Sequence, residues 1–156
     1  MYRHIMVPLD GSELAECVLP HAGALAKLLK GKEKISLVRV VPPLRLYEGA
    51  EAGLPPEERN RLEDEGIRVA RDYLKGAADR LNQPGITVAT EVLSGQVVDQ
   101  LNEFIRDNSV DLVILATHGR SGISRFFAGS TAERLIRSST VPVLAVRPPG
   151  CSILPS

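Results

Sequence analysis

An excess of charge of either sign is missing from this chain. Its 156 residues carry nineteen Lys plus Arg against nineteen Asp plus Glu, a formal net charge of zero. The general pull on nucleic acid or an anionic membrane is therefore weak, and any anion site has to be local. Cysteine is scarce as well: Cys17 and Cys151 stand far apart, outside any metal-ligand spacing. One small core residue and one thiol in the tail describe the pair, with redox sensing as the alternative. Nowhere do eighteen apolar residues run together, and Met1 to Ile5 offers neither the apolar stretch nor the cleavage site of a leader. The expectation is a soluble, cytoplasmic protein with no nucleic-acid and no membrane partner.

Domain boundaries, repeats and low-complexity tracts are also missing, so a single domain is expected over 1–148, with a frayed tail over 149–156. Within it, apolar runs and helical periods alternate. Ile5 to Leu9 is a buried strand that stops at Asp10-Gly11-Ser12. Leu14, Val18, Ala22, Leu25 and Leu29 then mark a helix of about four turns behind a Ser12 cap. Ile35 to Val41 reads as a second strand closed by Pro42-Pro43, and a long loop from Pro42 to Glu58 precedes a helix from about Glu57 to Leu81. Ile86 to Val92 alternates as an edge strand, Val97 to Ile105 is a third helical stripe, and Asp111 to Ala116 a central strand. A fourth helix carries Leu135 and Ile136, before a last strand over Val141 to Val146, whose Pro142 suits its start or an outer position. The order βαβαβαβαβ predicts a doubly wound five-stranded parallel sheet with helices on both faces.

Ligands of open parallel sheets sit beyond the carboxyl ends of the strands, where the winding reverses. With strand order 3-2-1-4-5, the loop Pro8 to Ser12 and the loop opening at Ala116 meet there. The second runs through Thr117-His118-Gly119-Arg120-Ser121-Gly122 to Gly129-Ser130-Thr131 and a helix start. Glycines that admit close approach, followed by the free N–H groups of a helix, suit phosphate. Structural readings stand beside this one. Ser130 and Glu133 form a capping box, Asp10 can close an Asx-turn, and Gly119 with Gly122 can shape a turn. Arg120 and Arg125 fit either polyphosphate or solvent, Phe126 and Phe127 are expected to anchor the loop, with stacking on a base as the alternative, and His118 has no orienting acid to make it a base.

The same residues resemble the ATP-binding branch of the universal stress protein family. That branch carries a Gly, two residues, a second Gly, nine residues, then Gly before Ser or Thr. Here Gly119 and Gly129-Ser130 keep the spacing, Ala116 stands at the first glycine, and Val7 to Ser12 and Val141 to Val146 extend the likeness over nearly the whole domain. The resemblance implies that Pro8 and Asp10 stand by the ribose or phosphates, that the Val40 backbone faces adenine, and that Leu115 and Ala116 line the ribose side. Gly119, Gly129, Ser130 and Thr131 would contact phosphate. It further implies ATP as ligand, with Mg²⁺ as an open companion near Asp10, and a homodimer through Val141 to Val146. The expected role is a nucleotide-dependent stress-response regulator with an unidentified regulatory partner. Its turnover is expected to be slow at most, since no Walker lysine is present. The alternative is a dimeric scaffold without nucleotide, for which Ala116 is the best support. No permanent metal site is expected.

Overall fold

Apolar runs long enough for one strand, each followed by an amphipathic stripe, collapse into alternating strands and helices. A computed structural model describes residues 2–29, 33–43, 55–81, 84–117 and 129–147, with Gly129 and Ser130 described through their backbone alone. The elements are β1 (His4–Pro8), α1 (Glu13–Glu16), α2 (Leu19–Leu28), β2 (Lys34–Val41), α3 (Pro56–Leu81), β3 (Thr87–Ser94), α4 (Val97–Asp107), β4 (Leu112–Ala116), α5 (Gly129–Ser138) and β5 (Val143–Val146).

All strand pairs are parallel, as the alternation of elements predicts, and the order is the expected β3-β2-β1-β4-β5. Residues of opposite parity in each strand face opposite helix layers. Ile5, Val7, Ile35, Leu37 and Ile114 pack with Ala22, Ala26, Leu74 and Ala77 of α2 and α3. Met6, Val38, Val113 and Leu115 pack with Leu101, Phe104 and Ile105 of α4 and Leu135 of α5. Both faces are covered, which is why β1 and β4 read as unbroken apolar runs.

Two elements depart from expectation. The first helix is not continuous: α1 ends at Glu16, and α2 starts at Leu19 with a proline in its first turn. Pro20 lacks the N–H that a through-running helix would need there, so the chain turns at Cys17-Val18 and starts again. The last strand is shorter than Val141 to Val146. Pro142 lies before β5, where its carbonyl accepts from Val113 N at 3.0 Å.

The base of β1 is tied by polar groups. Asp111 accepts from the N–H groups of Arg3 (2.8 Å) and His4 (3.1 Å). The buried His4 ring spans two elements, with Nδ1 2.8 Å from the Asn108 carbonyl and Nε2 2.8 Å from Ser36 Oγ. A carbonyl can only accept, so Nδ1 carries the hydrogen there and Nε2 can accept from the Ser36 hydroxyl.

Candidate functional site

Above the carboxyl ends of β1, β2 and β4 lies a cleft of about 630 Å³, a volume within the roughly 300–1,000 Å³ range of small-ligand sites. It sits where the winding reverses, because β1 has β2 on one side and β4 on the other. Pro8, Leu9, Asp10 and Ser12 supply one wall, and Leu115 and Ala116 another. Val38 to Pro42 form the floor, Thr131, Ala132 and Leu135 the side of α5, and Leu62, Gly66 and Val69 the side of α3.

The sheet register gives this floor its chemistry. Leu9 N donates to the Val38 carbonyl at 2.9 Å, and Gly95 N donates to the Val41 carbonyl at 3.3 Å. Backbone groups alternate sides along a strand, so the peptide groups of Val38 and Val40 point toward β1 and those of Arg39 and Val41 toward β3. Pairing of β1 with β2 ends at Pro8 against Val38. The Val40 N–H and C=O therefore face space that β1 has vacated, a donor and an acceptor side by side in an apolar cleft.

The turn after β1 is built by its own side chains. Asp10 Oδ1 accepts from Ser12 N (2.9 Å) and from Ser12 Oγ (2.6 Å), so the Asx-turn is realised. Ser12 in turn caps α1, its hydroxyl accepting from Ala15 N at 3.1 Å. Gly11 between them has φ of +92°, a conformation that favours glycine. Ala116 is unstrained at the first motif glycine: among the described non-glycine residues Ser109 alone has positive φ. Its methyl lies half-buried at the end of β4, so the sequence departure there needs no left-handed backbone.

Of the residues expected at the site, Pro8, Asp10, Val40, Leu115, Ala116 and Thr131 line this one cleft. Gly129 and Ser130 occupy the first turn of α5, next to Thr131. Gly119, with His118, Arg120, Ser121, Gly122, Arg125, Phe126 and Phe127, lies outside the described residues, as do 44–54 of the expected long loop and the tail 149–156. The capping-box expectation turns on the Ser130 side chain and on the chain before Gly129, which lie outside the described residues; Glu133 accepts from Arg137 at 2.8 Å one turn onward.

Sequence reasoning missed the wall from α3 and the charges beneath it. Arg39 lines the cleft, and its Cζ stands 5.0 Å from the centroid of the Tyr73 ring. The Tyr73 hydroxyl is buried without a hydrogen bond of full geometry, although the Glu16 carboxylate is near enough to act on it. Burial first, then the negative charges of Glu16 and Asp10, push this phenol up to about 12, against the opposing charge of Arg39. Glu16 accepts from Arg80 at 2.7 Å, and that hydrogen bond holds its carboxyl below the ordinary 4.5 despite partial burial. The lone Arg39 inside an apolar strand was the available signal. Which face of α3 meets the cleft had none. Among the described residues no cluster of His, Cys, Asp and Glu could hold a metal ion, and no helix is long and apolar enough to cross a membrane.

Known proteins with this chain's features agree with the fold. The model of the universal stress protein family matches residues 1–147. Universal stress protein MJ0531 of Methanocaldococcus jannaschii is 30% identical over 150 residues, covering 96% of this chain and 84% of its own. The solved structure of MJ0577 superposes with a TM-score of 0.78 at 27% identity, over 96% of this chain and 99% of that one. The universal stress protein from Archaeoglobus fulgidus in complex with dAMP shares the fold, with a TM-score of 0.64 at 21% identity over 92% and 97% of the two chains. This chain belongs to the universal stress protein family.

Proposed function

We propose that this chain is an ATP-binding regulatory module, a homodimer whose shape or partner choice depends on bound nucleotide, with ATP turnover slow at most. The observation that carries the reading is the Val40 peptide. Its N–H and C=O face an apolar cleft at the winding reversal, and the edge of adenine presents the matching acceptor and amino donor. Asp10 at one side suits ribose hydroxyls. At the other side the first turn of α5 offers N–H groups with no partner inside the helix, which suit phosphate at Gly129, Ser130 and Thr131. Gly119 joins them through the family resemblance. Mg²⁺ would travel with the phosphates, with Asp10 reaching it through water alone.

The alternative, a scaffold without nucleotide, drew its support from Ala116, and the negative φ there removes the steric reason for it. Edge strand β5 supports the dimer: Leu144 is 44% exposed and has β4 on one side alone. The family resemblance and the absence of a membrane-length helix among the described residues favour the cytoplasm as its setting. Heat extraction of purified protein, read by mass spectrometry, is expected to release adenine nucleotide. Gly129→Val, folded by circular dichroism, should release none. Equal nucleotide in both would reject the assignment to α5.

A further inference from the structure

Arg39 has no role in the reading above, yet its surroundings are built for it. The side chain leaves β2 on the face of α1 to α3 and lies half-buried at the cleft. A Cβ added to Gly11 would stand 3.2 Å from Nη2 and 3.3 Å from both Cζ and Nη1. Near-equal distances to three atoms of one plane put that position over the flat face of the guanidinium. The Tyr73 ring lies against the same group, 5.0 Å from Cζ. Arg39 is thus a flat cation packed between the β1 turn and α3, close enough to Gly11 that a side chain there would press on it.

The turn it presses on carries Asp10. One carboxylate oxygen, Oδ1, is taken twice by Ser12, which leaves Oδ2 as the acceptor for the cleft. A carboxylate repels phosphate and accepts from hydroxyls, so its natural object is the vicinal diol of a ribose. Asp10 and Arg39 both lie within electrostatic reach of the Tyr73 phenol, which places the two charges in one neighbourhood.

We propose that Arg39 is a positioning residue for ribose recognition: packed against Gly11 and Tyr73, it fixes the Asp10 turn so that Oδ2 meets the ribose hydroxyls, and its charge offsets the repulsion between Asp10 and the ligand's phosphates. The inference rests on the nucleotide reading above. A lysine ammonium has no plane to stack, so the role belongs to arginine.

Calorimetric titration with ATP and with 2′-deoxy-ATP tests it, alongside hydrogen exchange of the nucleotide-free protein. Arg39→Ala and Arg39→Lys should each weaken ATP about tenfold, the scale of a partly desolvated cation–π contact, and weaken 2′-deoxy-ATP by a smaller factor. In an Asp10→Asn background Arg39→Ala should add little further loss. Without nucleotide, the Ser12 amide bound to Asp10 should exchange faster in Arg39→Ala than in the wild type. Wild-type affinity for ATP in Arg39→Ala, equal losses for the two nucleotides, or unchanged Ser12 exchange would each overturn the proposal. A wild-type chain that binds neither nucleotide overturns the functional reading instead and takes the ribose assignment with it. Faster Ser12 exchange would then still mark Arg39 as the residue that holds the turn.

Discussion

His4 shows how much one buried side chain can hold. Its ring joins β1 to Ser36 on β2 and to Asn108 after α4, and Ser36 is fully buried. His4→Leu keeps an apolar volume but leaves the Ser36 hydroxyl without its partner. The expected cost is about 2 kcal/mol, a fall of roughly 4–8 °C in Tm for a chain of this size. The double variant His4→Leu/Ser36→Ala should recover the part of that loss that comes from the Ser36 hydroxyl, while the Asn108 carbonyl still lacks its donor. Equal melting of the two variants would show that the pair contributes by packing alone. At this scale the sequence told little: His4 reads as a residue at a strand start, and nothing nearby in the chain announces partners 32 and 104 positions away.

Elements were far more legible than their contacts. Apolar runs between turn signals place β1, β2 and β4, because strands covered on both faces need near-continuous apolar side chains, whereas β3 is legible from its alternation. The first helix misled, since Leu14, Val18, Ala22 and Leu25 keep the helical period straight across the break. Pro20 was the sign that mattered. In the same way the period of α3 marks Leu74 and Ala77 as core, yet cannot say that Leu62, Gly66 and Val69 on its first half would wall a cleft. The edge strand β5 carries its own prediction. Leu144→Lys puts a charge on the exposed edge, a device by which edges are kept from pairing. Sedimentation at micromolar concentration should find the wild type dimeric and Leu144→Lys monomeric with its fold intact. A monomeric wild type would contradict the interface.

For the whole molecule, topology does what no single motif could. The order β3-β2-β1-β4-β5 brings Pro8 and Asp10, Val40, Leu115 and Ala116, and Thr131 to one cleft from four separate stretches of chain. Sequence reasoning reached that set because the winding rule fixes where loops converge and the family resemblance supplied Val40. The direction of the Val40 peptide was beyond it, since that follows from the register between β1 and β2. The same register sets the most direct test. Titration calorimetry of the wild type with ATP and GTP should give one ATP site per chain and a GTP affinity at least about tenfold lower. Guanine reverses the donor and acceptor order of adenine and so meets Val40 like against like, and one mismatched pair is worth about 1.4 kcal/mol. Equal affinity for the two, or no heat from either, would contradict the account.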